Sequence, residues 1–218
     1  MNKIKIYLRL HLGKKFRLIR NILLRKKLKN LKLETDFTII SQNCIGTLIY
    51  YDLGLKYLSP TINLYMESQD YIKFLENLDY YLAIDAENIK FIDHAEYPIG
   101  MLDDIKIYFV HYLNEIEAIN CWNRRRKRVN KEKIIIIMTD RDGFNEDIMQ
   151  RFYQLPFDNK ILFTAKEKKS DLCNIIYMPY FKKNGQVGSL TEFCSIFGKR
   201  FYEKNFNFIK WLKRKGGF

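Results

Sequence analysis

Cys44, His111, Asp140 and Thr164 are residue types that can do chemistry, and each stands just past an apolar run that reads as a strand. Residues 37–40 lead into Ser41-Gln42-Asn43-Cys44, 105–110 into His111, 134–138 into Thr139-Asp140-Arg141-Asp142-Gly143, and 161–163 into Thr164-Ala165-Lys166. In an open α/β sheet, ligands bind outside the carboxyl ends of the strands, near the point where the strand order reverses. A site is therefore expected in these four short stretches.

The chemistry differs from one stretch to the next. Cys44 opens a helix after the first strand, where free backbone N–H groups and the positive dipole end lower a thiol pKa. There it could act as a nucleophile, with Asn43 or Ser41 donating to an oxyanion. The competing reading is that Ser41 or Asn43 caps the helix while Cys44 packs as a small apolar residue. His111 is placed to serve as a general base, or else as a structural histidine bonded to backbone. Asp140 could orient His111 and complete a Cys–His–Asp relay. Alternatively, Asp140 and Asp142 form a D-x-D that holds a divalent metal on the diphosphate of a nucleotide sugar. The plainest reading is a turn, with Asp142-Gly143 ending the strand and Asn145 capping the next helix. Ser41, Asn43, Asp142 and Thr164 are the expected substrate-binding residues. No G-x-G-x-x-G or G-x-x-x-x-G-K-[ST] occurs, which argues against dinucleotide and P-loop sites. Arg124–Arg128 are spread around a helix and read as a solvated face.

The elements that must carry these residues alternate. Helices are expected over about 45–57, 69–82, 114–129 and 146–154, and strands at 37–41, 105–110, 134–138, 160–163 and 175–178. Residues 61–65 read as extended, 98–100 as a turn, and 189–214 as mostly helical. The all-apolar run 134–138 has the pattern of a central parallel strand covered on both faces. The expected fold is a three-layer α/β domain over 36–198, its mostly parallel sheet flanked by helices. A basic helical segment (1–35) precedes it and a basic helix or tail (199–218) follows.

A chain of 218 residues with 47% hydrophobic and 29% charged residues can bury one sizeable core. The net charge of +13 is concentrated at the ends: residues 1–35 carry twelve Lys/Arg against Glu34 alone, and 199–218 carry seven against Glu203. Basic ends suit nucleic acid, anionic lipid or an acidic partner. Nothing matches an aromatic RNA-binding signature, which argues against nucleic acid. Cys44, Cys121, Cys173 and Cys194 lie far apart with no C-x-x-C, so neither a zinc site nor a disulfide scaffold is expected, and a reducing cytoplasm is. No run of eighteen apolar residues is present to span a membrane. Arg9, Lys14, Lys15 and Arg17 interrupt what would be the apolar core of a secretory signal.

The first helix is expected to be amphipathic. Ile4, Leu8, Leu12, Phe16, Ile19 and Leu23 recur every three or four residues, while Lys3, Arg9, Lys14, Arg17 and Arg20 fall largely on the other side. Lys5 and Lys15 intrude on the apolar side. The expected partner of residues 1–33 is the anionic inner face of a membrane; packing of the stripe on protein is the alternative.

The stretches FTIISQNCIG (37–46), LGLKYLSPTIN (53–63), YPIG (97–100), His111-Tyr112, IMTDRDG (137–143), LPF (155–157) and FTAK (163–166) resemble a bacterial family of exopolysaccharide-biosynthesis proteins without assigned activity. The resemblance covers roughly 36–190. It implies an α/β domain and a role in surface-glycan assembly, and supplies no established catalytic residues. A weaker likeness is to capsule-biosynthesis acyltransferases that bind coenzyme A and carry an Asn-Cys pair after their first strand; here Ile45-Gly46 follows, a departure from that pattern. The resulting expectation is a transferase acting on a glycan or its precursor. Acyl transfer from coenzyme A, with Cys44, His111 and Asp140 as the catalytic set, is favoured. The alternatives are metal-dependent transfer from a nucleotide sugar and a non-catalytic scaffold of the glycan machinery.

Overall fold

The computed structural model describes residues 3–92, 95–167 and 173–216, with side chains of the first helix described from Gly13. In chain order the elements are α1 (Lys3–Asn30), β1 (Thr38–Ser41), α2 (Ile45–Leu53), α3 (Ser68–Glu76), α4 (Leu78–Ala83), β2 (Lys90–Phe91), β3 (Ile99–Leu102), β4 (Ile105–Tyr108) and α5 (Glu115–Arg126). They continue with β5 (Ile134–Thr139), α6 (Glu146–Gln154), β6 (Lys160–Thr164), β7 (Asn174–Tyr177) and α7 (Phe208–Arg214). The chain divides into two units: Asp36–Thr47 with Tyr57–Gly188, and Met1–Thr35 with Leu48–Lys56 and Ser189–Phe218.

The larger unit is an α/β fold. Four parallel strands lie in the order β1-β5-β6-β7, and a three-stranded antiparallel sheet, β2-β3-β4, occupies the connection between β1 and β5. Every residue of β1, β5 and β6 is buried, whereas β7 is half-buried along its length, as befits an edge. The run 134–138 is thus a central strand, as its composition requires. Side chains alternate across the sheet: Ile40, Ile136, Met138 and Leu162 join one core with Tyr71 and Phe74 of α3, Trp122 of α5 and Phe152 of α6. Burial of each such side chain contributes about 1.5–3 kcal/mol. Asn145 caps α6 by accepting from the Ile148 amide, and Asn114 caps α5 through Glu117.

Several expectations are corrected. The strand before His111 does not belong to the parallel sheet; it is β4, and it ends at Tyr108. Its burial alternates, with Ile105 and Ile107 inward and Lys106 and Tyr108 half-exposed, which is the pattern of a strand covered on one face. The turn expected at 98–100 lies instead at Asp103-Asp104, with Asp103 at φ 57, while Gly100 sits inside β3, where a Cβ would meet Ile89 at 2.3 Å. The helix expected over 69–82 breaks at Asn77, whose backbone (φ −124, ψ 39) is neither helical nor extended and separates α3 from α4. Among the described strands the order runs from β1 to β7 without reversal, so the four strand ends share no switch point.

The smaller unit is held by charge. Asp52, buried, pairs with Arg20 at 3.0 Å and Arg200 at 2.7 Å, and Arg20 also reaches Glu203. The segment expected to be mostly helical over 189–214 is helical only at the short 3-10 turn Tyr202–Lys204 and in α7. Before them an antiparallel bridge joins Phe193 to Arg200, and Gly198, at φ 80, adopts a backbone that favours glycine and stands where a Cβ would meet the Arg17 backbone at 3.0 Å. In α1 the expected apolar stripe is not the packed face: Ile19 and Leu23 are exposed and Phe16 half-buried, while Leu28 and the stems of Arg17, Arg20 and Leu24 turn inward. The side chains of Lys3, Ile4, Lys5, Leu8, Arg9, His11 and Leu12 lie outside the described residues, as does His94.

Candidate functional site

At the end of β1 the polar residues are committed to structure. The Ser41 hydroxyl, buried, accepts from the Gly46 amide at 3.3 Å, and the Ser41 amide donates to Thr61 at 3.0 Å. Asn43 accepts from the Ile45 amide and donates to the Thr139 hydroxyl, both at 3.2 Å. Together they start α2, and the turn is so tight that a Cβ on Gly46 would come within 2.8 Å of Ser41. Gln42, which carried no expectation of its own, is fully buried. Its carbonyl accepts from the Thr139 amide (3.0 Å) and hydroxyl (2.8 Å), and its amide donates to Ser68 at 2.9 Å. It ties β1, β5 and α3 together at their meeting point.

Cys44 follows, half-buried, its sulfur 4.0 Å from the Leu64 carbonyl. Burial pushes its thiol up to about 11.

Asp140 is a clamp. One carboxylate oxygen accepts from the Thr164 hydroxyl (2.8 Å) and the Ala165 amide (2.7 Å), and the other from the Val187 amide (2.7 Å). It thereby closes the ends of β5 and β6 onto the chain at 187. Thr164 in turn accepts from the Lys166 amide at 3.0 Å. A cavity of about 260 Å³ opens here, lined by Asp140, Phe144, Asn145, Thr164, Lys166 and Gln186 among others. His111 lies beyond β4 with its side chain exposed, and its amide donates to the Asn63 carbonyl at 3.3 Å. Among the described residues no hydrogen bond joins Cys44, His111 and Asp140. No group of three or more His, Cys, Asp or Glu is arranged there to hold a metal ion.

What the structure does bring together lies along residues 63–68, which cross the ends of β1 and β5. The Met66 amide donates to the Gln42 carbonyl at 3.0 Å and the Ser68 amide to the Asp142 carbonyl at 2.8 Å, while the Ser68 hydroxyl reaches the Arg141 carbonyl at 2.6 Å. Tyr65 and Tyr108 exchange backbone hydrogen bonds, both at 3.0 Å, and their rings stack 4.3 Å apart at 6°. The Tyr108 hydroxyl donates to Glu67 at 3.0 Å. Burial, and then the charge of Glu67, pushes that hydroxyl up to about 12 and keeps it a donor.

The Tyr65 hydroxyl is pushed up by burial first and then by the neighbouring Tyr97, Tyr108 and Asp142. Asp142 adopts the left-handed conformation (φ 56) ahead of Gly143 (φ 84). Burial raises its carboxyl above the ordinary range; Arg141, whose Nε lies 3.8 Å away, opposes that shift and Glu67 adds to it. The result is a stack of two tyrosines with Tyr97 and the carboxylates of Glu67 and Asp142 in its neighbourhood. Tyr65, Tyr108 and Glu67 were not selected from the sequence. Their signal was the alternation Leu64, Tyr65, Met66, Glu67, in which Leu64 and Met66 are buried and the intervening residues turn outward. Tyr97 lies within the YPIG stretch.

Flat aromatic faces accept the C–H faces of a sugar ring, while carboxylates and phenols hydrogen-bond its hydroxyls, so the patch is chemically fitted to a polyhydroxylated ligand. Fold and site together define an α/β domain with an aromatic, carboxylate-edged surface over its strand ends. Comparison with known proteins then gives the family: residues 13–213 match the model described as Domain of unknown function (DUF1919), and the chain belongs to that family. It is 38% identical over 201 residues to a Haemophilus influenzae protein described as an uncharacterized protein, with 92% of this chain and 93% of that relative covered.

Proposed function

We propose that this protein is a transferase of exopolysaccharide or capsule assembly, which binds a glycan or glycan precursor on the Tyr65–Tyr108 stack and uses Asp142 as its base. The observation that carries the reading is the juxtaposition of that stack with Glu67 and the half-buried Asp142, whose carboxyl is raised by burial. A carboxylate raised toward neutrality is a better base than an ordinary one. The sugar hydroxyl attacks the acyl carbon of the donor and its proton passes to Asp142; the carbon–sulfur bond then breaks, and Asp142 returns the proton to the leaving thiolate, which departs as coenzyme A. Acyl transfer is favoured over metal-dependent glycosyl transfer because Asp140, the first carboxylate of the D-x-D, is spent on Thr164, Ala165 and Val187. Direct transfer is the simpler reading, since burial pushes the Cys44 thiol up to about 11 and disfavours the thiolate that a nucleophile needs. Donors of this kind are made in the cytoplasm, which is where the reading places the protein.

The test is release of free thiol from acetyl-coenzyme A when the purified chain meets a panel of capsule-type sugars. Thiol release that depends on the sugar and falls at least a hundredfold in Asp142→Asn is expected, in line with the usual contribution of a general base of about 10²–10⁴. Manganese-dependent turnover of a nucleotide sugar would favour the glycosyl reading. Sugar binding without turnover of either donor would favour a scaffold.

A further inference from the structure

In the smaller unit, α1 is turned inside out. Its outward face carries Leu18, Ile19, Ile22 and Leu23, which are 62%, 50%, 53% and 60% exposed. Spacings of one, four and five residues put the four side chains on one side of the helix. Its inward face carries Arg20, paired with Asp52 and Glu203, and the buried Leu28, while Arg25, exposed at the edge, reaches back to the carbonyls of Tyr51 and Asp52. A helix on the surface of a water-soluble unit shows the opposite arrangement. The apolar face continues onto the loop before Gly198: Phe197, 63% exposed, meets the Phe16 ring edge-on at 5.2 Å, and Ile196 beside it is 48% exposed.

Charge frames this face along the helix. Lys14 and Lys15 precede it and Lys26, Lys27 and Lys29 follow it, all exposed, and no Asp or Glu occurs in the 28 residues of α1. At 1.5 Å per residue the two lysine groups lie about 17–20 Å apart, one on each side of the apolar centre. A protein groove would have to match an apolar floor with acids at both ends. A layer of anionic headgroups over acyl chains supplies both at any register. No described helix is long and apolar enough to cross a membrane.

We infer that this face of α1, with Phe197, docks flat on an anionic lipid surface, the apolar side chains entering the headgroup boundary and the terminal lysines meeting phosphates. The docking face differs from the stripe read off the sequence: Leu18 and Ile22 replace the expected Phe16, while Ile19 and Leu23 are shared. The inference is independent of the glycan reading.

The full chain is sedimented with vesicles of phosphatidylcholine alone or mixed with phosphatidylglycerol, together with Ile22→Glu and Lys14→Glu/Lys15→Glu. The substituted residues are exposed, and circular dichroism checks that folding is kept. Binding to the mixed vesicles only, weakened by salt and reduced at least tenfold by either variant, is expected, since each lysine near an anionic surface contributes about fivefold. Three results would overturn the inference: no sedimentation with mixed vesicles, equal sedimentation of Ile22→Glu, or a dimer in solution that Ile22→Glu dissolves, which would make the occupant a second copy of the chain.

Discussion

Asp140 and Asp142 stand two residues apart after the same strand, and the fold uses them in opposite ways. Around Asp140, at the ends of β5 and β6, every carboxylate oxygen is taken by the Thr164 hydroxyl or by the amides of Ala165 and Val187. Around Asp142, where residues 63–68 cross β1 and β5, the backbone is committed to Ser68 while the carboxyl is half-buried beside Arg141 and within the field of Glu67. The first region is a joint and the second a surface. Chemical type alone marked both residues as candidates. What separates them is whether their hydrogen-bonding capacity is already spent.

Breaking the joint gives the largest expected effect. Asp140→Ala orphans two buried amides and the Thr164 hydroxyl, and at about 1–3 kcal/mol for each unsatisfied group it should cost at least about 3 kcal/mol in urea unfolding. Thr164→Val removes one donor from the same carboxylate and should cost about 1 kcal/mol by the same measurement. If both variants unfold like the parent, Asp140 is not a joint.

Asp142→Asn should behave in the opposite sense. Because the folded carboxyl is raised, its charged form is disfavoured in the folded state, and that penalty is present above the folded pKa. The Asn variant should therefore be at least as stable as the parent at neutral pH. Its advantage should shrink as pH falls through the raised pKa toward the ordinary Asp value. A variant less stable than the parent at neutral pH would contradict this sign.

Cys44→Ser should have the smallest effect on turnover, within about threefold, since a thiol pushed up to about 11 contributes no thiolate near pH 7. A loss of several hundredfold would restore Cys44 as the nucleophile.

The comparison also shows what the sequence could and could not display. β5, α6 and β6 were legible because their information is local: a five-residue apolar run, an Asn145 cap and a second apolar run. Ser41, Asn43 and Thr164, marked as substrate-binding by their place after strands, hold turns through their side chains. β4 was misplaced because one rule, chemistry at the ends of parallel strands, was applied to a strand whose I-K-I-Y alternation marks an antiparallel one. The tyrosine platform stayed hidden because Tyr65 and Tyr108 are 43 positions apart and meet only through a bridge between two connections. The packed face of α1 is likewise decided at a distance. Arg20 turns inward because Asp52 and Glu203 wait there, and no periodicity within residues 1–33 reports that.

The central claim is that the Tyr65–Tyr108 stack receives a sugar ring. Saturation-transfer NMR with the intact chain and a panel of capsule-type monosaccharides and short glycans tests it most directly. Transfer to the ring C–H protons of at least one sugar is expected, lost in Tyr108→Ala and retained in Asp142→Asn, whose carboxamide keeps the surface while removing the base. No transfer from the parent, or transfer undiminished in Tyr108→Ala, would contradict it.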